Sequence, residues 1–174
     1  MNKIKYVLII FVSIFGLFGC LRDEFSEKLP SKNIVLDKYL GTWYEIARLP
    51  NWFERDLVGV TATYSLKENG NITVLNQGYK NQLNGERKKA IGEAWIPDKD
   101  RTGRLKVSFF GPFSADYIVL EIDADYQYAL VGSGKEFLWI LSRKPILDQT
   151  IYNKLIQRAK TLGFDISKLV KVPQ

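Results

Sequence analysis

Few residues of this 174-residue chain are of a type that could do covalent or metal chemistry. The chain contains no histidine and a single cysteine, Cys20. This composition excludes nucleophilic sites that rely on a histidine base and metal sites built from imidazole or thiolate ligands. Carboxylates remain for acid–base chemistry, with Glu45, Glu93 and Glu121 as candidates, or for an oxygen-ligand cation site. The 10 phenylalanines, 9 tyrosines and 4 tryptophans instead favour broad apolar contact surfaces.

Cys20 stands at the end of an apolar segment, 6–18, that follows Lys3 and Lys5, a pattern typical of an export signal. Its 13 residues fall short of the roughly 20 that a membrane-spanning helix needs. Leu17-Phe18-Gly19-Cys20 resembles the bacterial lipoprotein cleavage box, in which the cysteine is acylated and becomes the new N-terminus. A retained membrane span and an incidental cysteine are the alternatives. We therefore predict a lipoprotein signal peptide at 1–19, and an acylated cysteine with a polar tether at 20–32.

The rest of the chain has the composition of one soluble domain, because 46% of all residues are hydrophobic and 25% are charged. The formal net charge is +6. Basic residues at 87–89 and 99–106 would meet anionic headgroups or form solvated strand faces. No nucleic-acid-binding motif accompanies them, so nucleic acid is not expected as a partner.

From residue 33 onward, short apolar or alternating runs are bounded by turn residues, the pattern of an antiparallel all-β domain. Asn69-Gly70, Asn84-Gly85 and Ser133-Gly134 supply hairpin turns, so consecutive strands should pair as a meander. Eight such strands close into an up-and-down barrel, which removes sheet edges and leaves room for one small ligand. The strands are predicted at 41–49, 58–67, 71–79, 87–96, 103–110, 116–123, 126–132 and 137–142.

Two segments depart from this β pattern. The loop after Leu49 is long and aromatic, and its Trp52 and Phe53 are predicted to form a lid at the open end of the barrel or to pack on its rim. Near the C-terminus, Asp148 can cap a helix whose apolar residues recur at helical spacing until Gly163. The predicted fold class is therefore an eight-stranded antiparallel barrel at 33–174, with one C-terminal α-helix packed outside.

Gly41-Thr42-Trp43 resembles the Gly-x-Trp signature on the first strand of lipocalins. The resemblance continues in Ala115-Asp116-Tyr117, which it places at the family's second conserved turn. Gly111-Pro112-Phe113 and the arginine that ends 138–143 extend it over residues 33–174. With the cleavage box, the chain is similar to the bacterial outer-membrane lipoprotein lipocalins, the group related to apolipoprotein D. This resemblance implies a lipid-anchored protein of the outer membrane, facing the periplasm or the cell surface, that binds fatty acids or lysophospholipids. It implies no cofactor and no metal, and it leaves a homodimer open.

Two groups of site residues follow. The structural signature consists of Gly41, Trp43, Asp116, Tyr117 and Arg143, with Trp43 filling the closed end of the barrel and Arg143 lying across its ring as a cation–π pair. Because side chains alternate along a strand, an inward Arg143 places Leu141, Trp139 and Phe137 on the inner face. The predicted cavity and lid residues are Trp139, Phe137, Leu141, Phe109, Val107, Tyr117, Tyr64, Phe53 and Trp52, each of which is alternatively plain core. Glu45 shares the inward face with Trp43 and would need a buried partner.

The predicted function is storage or transport of lipophilic molecules inside the barrel, with the burial of an acyl chain supplying most of the affinity. Two other classes stay open: an envelope module whose barrel is filled with side chains, and a lipid-modifying enzyme that uses carboxylates. The absence of histidine and of a Gly-x-Ser-x-Gly elbow argues against the enzyme.

Overall fold

The barrel predicted from the sequence is present in the computed structural model, which describes residues 24–174. Cys20 and the signal peptide lie outside the described residues. Antiparallel pairing joins consecutive strands from β2 to β8, and β1 closes the sheet by pairing with β8 on one side and β2 on the other. The strands are β1 (Gly41–Arg48), β2 (Leu57–Leu66), β3 (Ile72–Lys80), β4 (Arg87–Trp95), β5 (Arg104–Phe110), β6 (Phe113–Ile122), β7 (Tyr128–Ser133) and β8 (Phe137–Ser142).

The helices lie outside the sheet or across its end. They are α1 (Glu24–Lys28), α2 (Leu36–Tyr39), α3 (Gln149–Thr161) and a 3₁₀ turn (Ile166–Lys168). Helix α3 begins as predicted, because the Asp148 carboxylate accepts hydrogen bonds from the backbone N–H groups of Thr150 and Ile151. The shorter helices escaped prediction because one turn is too short to show a helical period.

A ninth strand, β9 (Val170–Lys171), was not predicted and fills a gap in the barrel wall. Strand β1 pairs with β2 only as far as Tyr44, and β9 pairs with β1 at Ala47 and Arg48. The side-chain amide of Gln174 then donates to the carbonyls of Glu45, at 2.7 Å, and Val60, at 3.0 Å. The C-terminal segment therefore supplies hydrogen bonds where β1 and β2 separate.

The sheet separates two apolar cores, because side chains alternate across it. Along β8, Leu138 and Ile140 belong to the outer core, between the barrel and α3, whereas Trp139 and Leu141 belong to the inner core inside the barrel. The fully buried outer residues include Leu120, Leu130, Leu155 and Ala159, and the inner ones include Trp43, Val119, Ala129 and Val131.

The two ends of the barrel differ. The closed end is the end formed by the β2–β3, β4–β5 and β6–β7 connections. Helix α2 crosses this end before β1 begins. The open end is formed by the β1–β2, β3–β4, β5–β6 and β7–β8 connections.

The segment expected to be a polar tether is in part packed against the barrel. The described part of it contains α1, where Ser26 is buried, and Leu29, which lies in the outer core. The Phe25 ring meets the Phe164 ring edge-on at 5.3 Å. Too few apolar residues occur here to show periodicity, so only their tertiary contacts reveal the packing. Within residues 24–174, no helix is long and apolar enough to cross a membrane.

Candidate functional site

The closed end is filled by Trp43, which is fully buried. Its indole N–H donates to the Tyr39 carbonyl at 2.8 Å, and the Arg143 guanidinium lies 3.8 Å from its ring centre. Arg143 also donates to the carbonyls of Lys38, Tyr39, Leu40 and Thr42. Gly41 has a φ of +91°, where a side chain would be strained. This geometry closes one end of the barrel.

Asp116 does not join this group. The sequence placed Ala115-Asp116-Tyr117 at a turn, but these residues lie inside β6, where Asp116 pairs with Lys106 at 2.7 Å. The turn against Arg143 is instead the β6–β7 connection, since Arg143 donates to the carbonyls of Tyr126, at 3.3 Å, and Gln127, at 2.8 Å. Strand β6 begins earlier than predicted because the short Gly111-Pro112 turn lets Phe113 pair with Phe110 directly.

Three tyrosine hydroxyls form a hydrogen-bonded chain within the inner core. The Tyr117 hydroxyl lies 2.7 Å from that of Tyr39 and 2.9 Å from that of Tyr64. Burial raises the pKa of each phenol, so all three keep their protons. Two hydrogen bonds use two of the three hydroxyl protons, which leaves one to donate to water or to a ligand oxygen.

The wall above the tyrosines is apolar and only partly covered. Trp139, Val107, Phe109 and Tyr117 pack against the inner core yet remain partly exposed, whereas Leu141 and Tyr64 are buried. The inner wall therefore includes apolar surface that neighbouring side chains leave uncovered. Six of the predicted cavity residues thus lie on one inner surface, whereas Phe137, Phe53 and Trp52 lie nearer the open end.

A polar cluster that sequence analysis largely missed lies beneath the β1–β2 loop. Glu45 has the buried partner that its inward position required, because Arg48 donates to its carboxylate at 2.6 Å. Arg48 also donates to the Glu54 carbonyl at 2.6 Å. The Glu54 carboxylate accepts from the Trp139 indole at 3.1 Å and from the Asn51 amide at 2.5 Å. The Glu54 side chain therefore connects the loop to the inner wall of the barrel by hydrogen bonds.

This cluster holds two carboxylates and one guanidinium away from water, since Glu45, Arg48 and Glu54 are each at most 6% exposed. Burial and the neighbouring Glu54 raise the pKa of Glu45 well above its ordinary value, although Arg48 acts in the opposite direction. Among residues 24–174, no group of three or more possible histidine, cysteine, aspartate or glutamate ligands could hold a metal ion.

The predicted lid residues lie on the loop at the open end. Trp52 is 72% exposed and meets Phe53 edge-on at 5.6 Å. Phe53 lies 5.9 Å from Phe137, which stacks on Trp139 at 6.0 Å. A continuous row of aromatic rings therefore runs from the exposed loop to the inner wall.

Sequence analysis missed Tyr39, Arg48, Asn51 and Glu54. Tyr39 lies on the unpredicted α2, and Glu54 lies in a loop, where no periodicity shows which way a side chain faces. For Arg48 a signal existed, since the inward Glu45 called for a cation and Arg48 is three residues further along the chain.

A closed eight-stranded barrel with one sealed end, an aromatic inner wall and an external helix defines a class of barrel that binds small molecules in its interior. The family model of the lipocalin-like domain matches residues 34–174. This chain belongs to the lipocalin family, whose members bind small hydrophobic ligands.

Curated relatives agree with this assignment. The chain is 46% identical over 160 residues to the outer membrane lipoprotein Blc of Vibrio cholerae, covering 91% of this chain and 92% of that one. It is 44% identical over 143 residues to Blc of Escherichia coli K12, covering 82% and 80%. Temperature-induced lipocalin-1 of Arabidopsis thaliana is 40% identical, with 87% and 85% covered. The relatives named outer membrane lipoprotein indicate the outer membrane as the location of this chain.

Solved structures support the fold. Insecticyanin from the tobacco hornworm Manduca sexta superposes with a TM-score of 0.68 at 22% identity, covering 84% of this chain and 85% of that one. Apocrustacyanin C2 superposes with a TM-score of 0.64 at 23% identity, covering 86% and 83%.

Proposed function

We propose that the barrel stores or carries a single-chain lipid, either a fatty acid or a lysophospholipid, with its acyl chain inside the barrel. The observation that carries this proposal is the partial exposure of inward-facing Val107, Phe109, Tyr117 and Trp139. Deeper in the same inner core, Val119, Ala129 and Val131 are completely buried. An interior filled with side chains throughout would bury both sets alike.

The chemistry of this interior suits an acyl chain with a small polar end. Each methylene moved from water to the apolar wall contributes about 0.8 kcal/mol, so a long chain gains most of its affinity from desolvation. The spare hydroxyl proton of the tyrosine chain offers one hydrogen bond within the barrel. Basic side chains at the open end, Arg55 and Lys135, would favour a carboxylate or phosphate headgroup left at the rim.

We also propose that Cys20 carries the lipid that anchors the protein. Its position at the end of the apolar segment 6–18 supports this. Alkylation as a thioether would also protect the thiol from oxidation in the cell envelope. Mass spectrometry of the N-terminal peptide of the mature protein tests it, and an unmodified Cys20 would contradict it.

Native mass spectrometry of the chain from residue 24 onward, mixed with fatty acids, lysophospholipids and diacyl phospholipids, tests ligand binding. We expect one intact single-chain lipid per protein, and we expect Trp139→Ala to weaken this adduct. The control is Trp95→Ala, because Trp95 ends β4 at the closed end and is not part of the inner core. No adduct would favour a filled barrel, and a hydrolysed lipid would favour the enzyme.

A further inference from the structure

We infer that the open end of the barrel lies against the phospholipid bilayer that holds the lipid anchor, with the exposed apolar side chains of its loops in the headgroup region. The inference rests on the proposed acylation of Cys20 but not on which lipid the barrel binds. Three observations support it: the path of the N-terminal segment, the exposed apolar residues and the charge.

The N-terminal segment runs along the outer wall from the open end to the closed end. At its beginning, the Ser26 hydroxyl accepts from the backbone N–H of Gly134, in the β7–β8 connection, at 2.8 Å. Midway, the Lys32 N–H donates to the Val119 carbonyl at 2.8 Å. At its end, Ile34 contacts Thr102 in the β4–β5 connection, which belongs to the closed end. Helix α1, where the described chain begins, therefore lies beside the β7–β8 connection of the open end.

The stretch between the anchor and the barrel is too short to reach the other end. Four residues lead from Cys20 to Glu24, and fully extended they span at most about 14 Å. A ten-residue strand such as β2, tilted by about 40°, rises about 25 Å. An acyl group on Cys20 would thus hold the open end, not the closed end, near the bilayer.

The loops of the open end expose large apolar side chains on three of its four connections. Trp52 is 72% exposed, Phe110 76%, Leu83 50% and Phe53 45%. Exposed apolar clusters of this kind mark interaction surfaces, and tryptophan is favoured at the membrane interface. A single acyl chain binds membranes only marginally, so a second apolar contact strengthens anchoring.

The same end is basic. Its loops and strand ends expose six basic side chains, namely Arg55, Lys80, Arg87, Lys88, Lys89 and Lys135. Only three exposed acidic side chains, Asp56, Glu86 and Glu136, accompany them. This charge complements anionic phospholipid headgroups and selects a bilayer over a second, equally basic copy of the same end.

Spin labels on the full, acylated protein in vesicles of phosphatidylethanolamine and phosphatidylglycerol test the inference. Leu83→Cys labels the open end, and Leu66→Cys, at the closed end, is a matched control because the two leucines are 50% and 51% exposed. We expect the label at 83 to be more accessible to oxygen than to a water-soluble nickel chelate, and the label at 66 to show the reverse order.

Two results would overturn the inference. Equal exposure of both labels to the nickel chelate would show that the barrel stands clear of the membrane. A short label-to-label distance between two copies labelled at 83, with both labels in water, would show that a second copy covers the open end. Mass spectrometry of the N-terminal peptide tests acylation, and native mass spectrometry tests lipid binding. A negative result in either is therefore distinguishable from a wrong orientation of the barrel.

Discussion

Arg143 illustrates how a conspicuous charged side chain serves structure rather than recognition. The one-turn helix α2 ends in carbonyls that the helix itself leaves without a hydrogen-bond donor. The Arg143 guanidinium donates to those of Lys38, Tyr39 and Leu40 and also covers the Trp43 ring. The polar and cation–π contacts thus fix the chain as it enters β1.

Arg143→Ala should therefore lower the free energy of unfolding by about 2–4 kcal/mol, the combined effect of a cation–π contact and several charged hydrogen bonds. In a domain of this size the melting temperature should fall by roughly 5–15 °C, measured by circular dichroism. Arg101→Ala, at an exposed position of the β4–β5 connection, is the control and should change little. An unchanged melting temperature with an altered lipid preference would contradict this role.

Glu45 should make stability fall as the pH rises. Its pKa is higher in the folded than in the unfolded protein. Its contribution to the free energy of unfolding is therefore fully present below the ordinary glutamate pKa, and it is lost as the pH rises through the pKa of the folded protein. Glu45→Gln resembles the protonated form, so its melting temperature should rise relative to that of the natural protein as the pH increases above the ordinary glutamate pKa.

Glu93→Gln provides a control of opposite sign. Hydrogen bonds from Lys67 and Asn71 lower the pKa of Glu93, which is in contact with solvent. Its contribution to the free energy of unfolding is therefore present above the ordinary glutamate pKa and is lost as the pH falls through the pKa of the folded protein. This variant should lose melting temperature relative to the natural protein at high pH, and only slightly because solvent screens the pair. A parallel pH profile for both variants would refute the assignment to Glu45.

At the scale of the element, the segment between α1 and α2 behaves as part of the barrel wall. Arg104 donates to the carbonyls of Ser26, Glu27 and Leu29, and Lys32 bonds to β6. These contacts hold a segment with little regular secondary structure against the barrel.

Amide hydrogen exchange should therefore show protection at Leu29 and Lys32, whose N–H groups are hydrogen-bonded. Phe25→Ala removes the edge-on contact with Phe164 and should speed exchange at Leu29 several-fold. Phe110→Ala, at a position that is 76% exposed, should leave it unchanged. Exchange at Leu29 as fast as in an unfolded peptide would show that the segment is a free tether.

At the scale of the whole molecule, one sheet serves two cores with different tasks. The outer core packs α3 against the barrel and stabilises the fold, while the inner core is where the proposed ligand would bind. Stability and binding should therefore respond to different substitutions.

Leu155→Ala should cost about 2–5 kcal/mol, because Leu155 is completely buried against the barrel, and should leave the lipid adduct in native mass spectra unchanged below the melting temperature. Trp139→Ala should weaken the adduct. Lys154→Ala, an exposed neighbour on α3, should change neither property. Loss of lipid binding in Leu155→Ala while the protein is folded would show that the two cores are coupled.

The sequence by itself determined the barrel and the order in which its strands pair. Alternating apolar residues and explicit turns such as Asn69-Gly70 place the eight strands, and the capping Asp148 places α3, because these signals act between near neighbours in the chain. Even the inward face of Glu45 and its need for a partner followed from alternation along β1.

Only the tertiary structure decided which distant residues meet. The Tyr39, Tyr64 and Tyr117 hydroxyls come from α2, β2 and β6, and the Glu54 carboxylate reaches Trp139 from a loop that has no periodicity. Asp116 was placed at a turn because a motif does not reveal where strand pairing begins. The path of residues 24–35 depends on single contacts with Gly134, Val119 and Thr102, which no local pattern encodes.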